Sequence, residues 1–361
     1  MTDIEQLFFD LLQVSLGQRK SLRRVIGEEE WQVIFAIAQK QAVAGFAFDA
    51  LNKVVGKEQR IPQSLLFDWI GISEQKKQRN CLVNQRCKEL EKVFVDEGFR
   101  CCVLKGQGTS LYYQNPFCRQ SGDIDIWVDG NRDEIIAFAR RKNVNIEKVD
   151  VKHADIAFFI DIPVEVHFKP SWMFSPYTNL KLQQYFKQKA NGQFSNCDKD
   201  SGFTHSTVDF DLVFSLVHIY RHVFFEGIGL RQLLDYYHIL LHSNIQQRQD
   251  ANKVLAGLGM KAFTGGVIWV LSKCFALEEE YYLCSVNERY GKHLLSEILI
   301  AGNFGHSDPR YNFKIHDNRL VYGFIQLKRN ILFLRYYPSE VLWSPIWKIC
   351  HWCWRKWKGY L

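Results

Sequence analysis

The segment DIDIWV, at residues 123–128, alternates acidic and apolar side chains within a run that is otherwise typical of a buried β-strand. In an extended chain, side chains two positions apart point to the same face of a sheet. Asp123 and Asp125 therefore share one face, while Ile124 and Ile126 share the other. Adjacent carboxylates repel each other, and burying them is costly unless a cation lies beside them. The segment thus predicts a sheet with one apolar face and one face that binds positive charge.

Helical periodicity surrounds this strand on both sides. Residues 28–54 and 82–99 space their apolar side chains at helical intervals, and the second segment reaches Gly98, a common C-cap residue. Residues 188–207 are polar and are expected to be irregular. Later segments with helical patterns are 209–225, 229–242, 267–277 and 320–337.

Short apolar runs lie between these helical blocks. Residues 100–106 and 123–128 are predicted strands, and residues 132–142 form an amphipathic helix. Residues 156–168 are predicted to form two strands joined by a tight turn near 161–163. We therefore predict an α+β fold, in which a small mixed β-sheet core is flanked by an N-terminal helical segment and a C-terminal helical domain. The predicted boundaries are 1–98, 99–187 and 188–361.

The composition is that of a folded protein, with 47% hydrophobic and 24% charged residues, so a disordered chain is excluded. The net charge of +7 suits an anionic substrate, but no strong basic-aromatic stripe crosses the predicted core, so we expect no nucleic-acid partner. The N-terminal stretch carries acids where a signal peptide needs bases, and no segment approaches the roughly 18 apolar residues of a membrane span. The ten cysteines show no disulfide-like spacing. We therefore expect a reduced, soluble, cytoplasmic protein.

The Asp-x-Asp spacing suits a hard divalent cation, because magnesium prefers carboxylate and phosphate oxygens and usually takes few protein ligands. Glu165, in the segment VEVHF, is the candidate third carboxylate, since it and His167 alternate with two valines. If this strand pairs beside the strand of Asp123 and Asp125, all three acids face the same cations. The alternative is a polar outward face on an edge strand.

The segment LKGQGTSLYY, which begins at Leu104, joins the first strand to a short helical piece through Gly106 and Gly108. Glycines at such a junction let backbone N–H groups approach an anion. Lys105 and Arg119 add cations that contact phosphate oxygens, and arginine does so bidentately. The spacing matches neither a P-loop nor a dinucleotide-binding fingerprint.

Together these motifs resemble the uncharacterised nucleotidyltransferase family of the polymerase-β-like superfamily. The matching elements are VLKG at 103–106, an arginine just before DIDIWV, and VEVHF at 164–168, and the resemblance extends over about residues 15–330. The Gly-Ser of the broader superfamily is replaced here by Gly106-Gln107. The narrower family carries Lys-Gly at this place, so Lys105 is expected to hold the terminal phosphates.

The resemblance implies an enzyme that transfers a nucleoside monophosphate from a nucleoside triphosphate to an unidentified acceptor. It implies two Mg²⁺ or Mn²⁺ ions held by the catalytic residues Asp123, Asp125 and Glu165, and Glu165 is also a candidate to accept the hydroxyl proton. One alternative is a non-catalytic nucleotide- or ligand-binding protein, against which the three retained acids argue. Another is a metal-dependent glycosyltransferase, which requires a larger parallel sheet. The expected substrate and phosphate contacts are Lys105, Gly106, Gln107, Arg119, His167 and Arg231.

Several histidines and charged residues lie outside the acidic motifs. His218 and His222 are four residues apart, a spacing that can bind zinc, but the glutamate of the metalloprotease pattern is missing, so packing or hydrogen bonding is the expected role. The resemblance places His222, Arg231 and Asp235 at the cleft, although Arg231 and Asp235 can instead pair on the helix surface. His153, like His167, lies in a strand near the acids and either orients them or faces outward.

The segment ICHWCWRKWKGYL, at 349–361, combines tryptophans with basic residues. Cys350 and Cys353 form one Cys-x-x-Cys pair, and a structural zinc site needs a second. We expect this segment to pack as a helix against the helical domain. Peripheral contact with a membrane surface, or with an anionic partner, is the alternative.

Overall fold

The computed structural model describes residues 1–54, 56, 59–198, 201–305, 308–310, 328, 331 and 333–360. It confirms the predicted α+β class, because helices surround a small five-stranded mixed sheet. The predicted helix at 320–337 lies largely outside the described residues.

The N-terminal segment is helical, as its periodicity predicts. Helix α4 buries Val83, Leu90 and Phe94 against the sheet, and the chain turns after it at Gly98, whose φ of +83° favours glycine. An unbroken helix across 28–54 is not formed, since Ala42 has a φ of +58° and separates two helices. The four helices are α1 (Asp3–Ser15), α2 (Glu28–Lys40), α3 (Ala44–Val54) and α4 (Gln63–Val95).

The sheet has the strand order β1-β2-β5-β4-β3, in which β2 and β5 are parallel and the other neighbours are antiparallel. Two strands are predicted within 156–168, and the first of them is wrong. The observed strand, β4, already ends at Ile156, because the chain turns there and the backbone N–H of Phe158 donates to the carbonyl oxygen of Ile156. An unpredicted strand, β3, lies at the edge. The elements are β1 (Cys101–Leu104), α5 (Gln107–Ser110), β2 (Ile124–Val128), α6 (Arg132–Arg141), β3 (Ile146–Val149), β4 (His153–Ile156) and β5 (Val164–His167).

The two faces of the sheet differ as the alternation predicts. Ile124, Ile126 and Val166 pack with the apolar sides of α4 and α6 in one hydrophobic cluster. On the opposite face, Asp125 and Glu165 line a cavity beneath the C-terminal helices. The sheet is therefore a wall between an apolar core and a polar cavity.

Helices follow the sheet, and the irregular stretch predicted at 188–207 is in part wrong. Helix α7 continues to Phe194 because Tyr185, Phe186 and Phe194 give it a buried face, and a small hairpin follows it. None of the described helices combines the length and the apolar character needed to cross a membrane. The elements are α7 (Pro176–Phe194), β6 (Cys197–Asp198), β7 (Phe203–Thr204), α8 (Val208–Phe225), α9 (Leu230–Leu241), α10 (Ile245–Gly257), α11 (Lys261–Phe275), α12 (Glu288–Ala301) and α13 (Pro338–Lys358).

Candidate active site

Parallel pairing of β2 with β5 brings the three carboxylates together. Asp125 lies opposite Glu165 in the strand register, and Asp123 immediately precedes β2. One carboxylate oxygen from each residue lies within 4.8 Å of the others. All three residues line the same cavity. Carboxylate oxygens grouped this closely form a ligand set that hard divalent cations prefer.

Lys105 supplies positive charge beside these acids. Its Nζ lies 3.0 Å from Asp125 Oδ1, and its backbone φ of +34° is one that side-chain-bearing residues rarely adopt. Burial lowers the pKa of the Lys105 amine, but Asp125 and Asp123 raise it more, so the pKa lies above its ordinary value. Part of the positive charge that the acidic strand requires therefore comes from the chain itself.

His218, on α8, is the second partner of Lys105. The two side-chain nitrogens, Lys105 Nζ and His218 Nε2, are 3.3 Å apart. Burial, together with the charge of Lys105, holds the pKa of His218 well below its ordinary value. The ring is therefore neutral at pH 7 and accepts a hydrogen bond from the ammonium group. One turn later on α8, His222 Nδ1 lies 3.3 Å from Glu226 Oε2. Both His218 and His222 line the cavity.

Two histidines frame Glu165. His167 Nε2 lies 2.9 Å from Asp125 Oδ1 and 3.4 Å from Glu165 Oε2, while His153 Nδ1 lies 3.7 Å from Glu165 Oε2. Burial lowers the pKa of His167, but hydrogen bonding to the two acids raises it above its ordinary value. Burial and the charge of Lys152 lower the pKa of His153 to about 2, so this ring is neutral. His167 thus links the acids of two neighbouring strands and orients them.

The acids differ in how fully the protein compensates their charge. Burial and the adjacent Asp125 raise the pKa of Asp123 to about 6. Burial also raises the pKa of Glu165, but the hydrogen bond from His167 and the charge of Lys105 lower it more, so the net shift is downward. Of these two carboxylates, Asp123 is therefore the one whose negative charge the surrounding protein stabilises less.

Arg119 lies on the cavity wall, where Asp235 holds it. Its Nε and a terminal nitrogen donate to the two carboxylate oxygens of Asp235 at 2.7 and 2.8 Å. Arg231 donates to the carbonyl oxygen of Gln120 at 2.8 Å, and its Nε has no hydrogen-bond partner among the described residues. Asp235 thus pairs with Arg119 instead of with Arg231, the partner suggested by helical spacing. Of the two arginines expected to contact phosphate, Arg231 keeps more of its donors available.

The glycine turn after β1 only partly meets the sequence-based expectation. Gly106 lines the cavity, and its φ of +52° is favourable for glycine. Gln107 is buried, and its Nε2 donates to Asn84 Oδ1 on α4 at 2.5 Å. The expected phosphate contact by the Gln107 side chain is therefore corrected, because this amide points into the core. Gly108 serves close packing, since a Cβ there would lie 3.2 Å from the carbonyl oxygen of Val103.

The cavity above the acids has a volume of about 1270 Å³. This exceeds the roughly 300–1,000 Å³ that is usual for small-ligand pockets, so two substrates have room in it. Three basic side chains not anticipated from the sequence, Lys152, Arg221 and Lys348, lie on its wall. Burial and the nearby Arg221 lower the pKa of Lys152 to about 8. The cavity thus combines acids that suit cations with bases that suit anions.

Helix α13 closes one side of this cavity. Trp347, Lys348 and His351 lie on its wall, and His351 Nε2 is 3.1 Å from Asp150 Oδ1. The ring of His351 stacks between Trp347 and Trp354, with ring centroids 4.6 and 5.6 Å away. The spacing of these three aromatic rings, at i, i+4 and i+7, is a sequence signal that could have identified this helix face as one in contact with the protein.

The carboxylate set fits magnesium or manganese. Asp123, Asp125 and Glu165 each offer a hard oxygen ligand, and the raised pKa of Asp123 indicates negative charge that a bound cation would stabilise. Mg²⁺ usually completes its coordination with water and phosphate oxygens, for which the cavity has space.

A second group of potential metal ligands shares Glu165 with the first. His153, Glu165 and His167 also place one ligand atom each within 4.8 Å of the others. The Nε2 atom of His167, however, already bonds Asp125, and the nearby charge of Lys152 opposes a further cation. In the structure, these two histidines instead contact the acids themselves.

Comparison with known families places this chain beside other proteins. A family described as an uncharacterised nucleotidyltransferase matches residues 27–276, which include the whole sheet and the helices from α2 to α11. No curated protein matches the chain.

Proposed function

The chain belongs to the uncharacterised nucleotidyltransferase family, and from this premise we propose that it transfers a nucleoside monophosphate from a nucleoside triphosphate to an acceptor hydroxyl. A bond forms between the acceptor oxygen and the α-phosphorus, the bond from the α-phosphorus to the oxygen bridging to the β-phosphate breaks, and pyrophosphate and a proton are released. The observation that carries the proposal is the convergence of Asp123, Asp125 and Glu165 at the cavity.

Asp123, Asp125 and Glu165 are the residues that would hold two Mg²⁺ or Mn²⁺ ions. When bound, such ions neutralise charge on the transferring and leaving phosphates and lower the pKa of an attacking hydroxyl. Because positioning and charge stabilisation account for most of the catalysis of phosphoryl transfer, few protein groups are needed. His167 supports this arrangement by bridging Asp125 and Glu165.

Basic side chains around the acids are the proposed contacts for the triphosphate. Lys105 reaches Asp125 from the turn beside Gly106, and Arg231 lines the same cavity without an acidic hydrogen-bond partner among the described residues. Arg119 contributes charge and holds α9 in place through Asp235. From its place on the cavity wall, the Lys105 ammonium would donate to the oxygens of a bound triphosphate.

The alternatives are less well supported. A non-catalytic binding protein would not need three converging carboxylates with a lysine at 3.0 Å from one of them. A glycosyltransferase requires a larger parallel sheet before the acidic pair, whereas β2 and β5 form the single parallel pair among the described strands of the sheet.

The proposal is tested by incubating the protein with each nucleoside triphosphate, labelled at the α-phosphate, together with Mg²⁺ or Mn²⁺ and a cell extract. We expect label from one or more nucleotides to enter a new product, and EDTA to prevent this. The same nucleotide labelled at the γ-phosphate should leave the product unlabelled, because pyrophosphate departs. Label transferred from the γ-position would indicate a kinase reaction and contradict the proposal.

Asp125→Asn is the decisive variant, because it keeps the shape of the side chain and removes its charge. We expect product formation to fall by at least about 100-fold, the usual scale for losing one preorganised electrostatic group. Asp129→Asn is the matched control, since Asp129 lies just beyond β2 and pairs with Arg100 at the surface. Equal labelling by wild type and Asp125→Asn would refute the assignment, provided both variants show the circular dichroism spectrum of the folded protein.

A further inference from the structure

Helix α13 presents an apolar face to solvent. Its exposed side chains recur at Leu342, Ile346, Ile349, Cys353 and Trp357, a helical spacing that forms one continuous stripe. Ile349 is 66% exposed and Trp357 is 79% exposed. A surface helix of a globular protein normally turns polar residues outward. This stripe, which we call the outer face of α13, is therefore an unusual surface.

Burial of the opposite face fixes which side of the helix is exposed. The carboxylate of Glu340 accepts a hydrogen bond from the backbone N–H of Phe174 at 2.8 Å, and the ring of Trp347 lies 5.2 Å from that of Phe174. Farther along, Arg132 lies over the ring of Trp354, 4.7 Å from its centroid. Contacts at both ends and in the middle of α13 thus hold the outer face outward.

The charge within the outer face is positive. Lys356 is exposed on it, with Nζ over the ring of Trp352 at 5.4 Å, whereas Lys358, at the end of the helix, has its Nζ 3.9 Å from Asp133 Oδ2. The acid of this helix, Glu340, is buried on the opposite face. Exposed tryptophans beside lysines, on a helix with exposed aliphatic side chains, are typical of a helix that lies in the interface of a bilayer.

We propose that the outer face of α13 binds the surface of a membrane that contains anionic phospholipid. The aliphatic and tryptophan side chains enter the boundary between headgroups and acyl chains, and Lys356 contacts lipid phosphates. The helix lies in the membrane plane, since none of the described helices is suited to cross a bilayer. Binding places the cavity, which is lined by the opposite face of the same helix, one helix diameter, ~10 Å, from the lipid surface.

The full-length chain is tested by co-sedimentation with vesicles of phosphatidylcholine and phosphatidylglycerol in equal parts, without nucleotide. We expect binding to these vesicles, weaker binding to pure phosphatidylcholine, and release as salt is raised. Lys356→Glu changes the charge by two units, so the partition coefficient should fall about 30-fold. Lys253→Glu makes the same change at another exposed lysine and should leave binding unchanged.

The apolar contribution is tested by the double variant Ile349→Ser/Trp357→Ser. Both side chains are exposed, so the fold should persist while binding falls by at least about tenfold. The matched control is Phe67→Ser/Ile245→Ser, which should leave vesicle binding unchanged. It removes side chains that are 60% and 66% exposed on helices other than α13.

The other occupant of such a face is a second copy of the chain. A wild-type protein that stays in the supernatant, and that forms a dimer by light scattering which Ile349→Ser/Trp357→Ser dissociates, would overturn the proposal. Equal binding to neutral and anionic vesicles would also overturn it. The inference does not rest on the transfer reaction, because vesicle binding is measured in the absence of substrates.

Discussion

Arg119 and Asp235 are joined by two parallel hydrogen bonds of 2.7 and 2.8 Å, which connect the segment before β2 to helix α9. Both side chains are buried, and the Tyr113 hydroxyl donates to the same carboxylate at 2.7 Å. The pair therefore ties the acidic strand to the helix that carries Arg231. In the proposed reaction, a guanidinium compensated in this way would position α9, and Arg231 would be the better donor to a phosphate.

Breaking this pair should lower the stability of the folded protein. Asp235→Ala leaves the Arg119 guanidinium buried without its partner, and we expect the free energy of unfolding to fall by about 3–5 kcal/mol. Urea denaturation monitored by circular dichroism measures the change. Asp129→Ala, which breaks the exposed pair with Arg100, should cost less than about 1 kcal/mol. The double variant Arg119→Met/Asp235→Leu should recover most of the loss, and equal losses for Asp235→Ala and Asp129→Ala would contradict the buried role.

Lys105 should act on substrate binding, if the proposed reaction is correct. Lys105→Gln removes a charge-assisted contact to the triphosphate, so the KM for the nucleotide should rise about tenfold or more, with a smaller change in kcat. Steady-state assays with the labelled nucleotide measure both constants. Lys253→Gln, at an exposed site on α10, is the control. An unchanged KM would show that Lys105 serves only to neutralise Asp125.

Asp211 should make stability depend on pH. Burial raises its pKa to about 7, even though Tyr112 donates to its Oδ2 at 3.3 Å. Since an unfolded aspartate titrates near about pH 3.9, the folded protein binds more protons than the unfolded chain between these values, and stability falls as pH rises through this range. Asp211→Asn removes this dependence. The free energy of unfolding of the variant relative to that of wild type should therefore rise from about pH 4 to pH 7 and then level off.

Urea midpoints of wild type and Asp211→Asn at several pH values provide the measurement. Asp250, exposed on α10, has a pKa below its ordinary value because Gln246 and Lys253 contact it. Asp250→Asn should therefore show no such growth with pH. Parallel stability profiles for wild type and Asp211→Asn would mean that Asp211 is not buried as a neutral acid.

Close packing of α11 against α12 gives a further test. A Cβ at Gly291 would lie 2.4 Å from a ring atom of Trp269, so Gly291→Ala should destabilise the protein by about 1–3 kcal/mol. Gly71, inside α4, has open space around it, and Gly71→Ala should stabilise by about 0.5–1 kcal/mol because alanine favours helices. Thermal denaturation of the two variants measures opposite shifts, and shifts of the same sign would show that the α11–α12 contact is looser.

Several features of the fold followed directly from local sequence pattern. Alternation in DIDIWV and VEVHF assigned Ile124 and Val166 to the core and Asp125 and Glu165 to the other face, because strand geometry leaves no other choice. The same reasoning failed at 156–168 and 188–207. There, aromatic and polar residues have no single period, and contacts with other elements decide where strands and helices end.

Partners distant in the chain could not be read from the sequence. The hydrogen bond from Gln107 to Asn84, the Arg119–Asp235 pair and the approach of His218 to Lys105 each join elements more than 20 residues apart. The basic side chains on the cavity wall, Lys152, Arg221 and Lys348, could not be predicted for the same reason, because they come from separate parts of the chain.

By itself, the sequence determined that three acids lie on polar faces of apolar strands and that helices flank them, because side-chain periodicity records which face of an element is buried. Only the tertiary structure decided that β5 lies beside β2, that Lys105 and His167 compensate Asp125, and that α13 covers the cavity with one face while exposing the other. Periodicity shows that a face is covered or open, whereas the identity of what covers it depends on packing between distant segments.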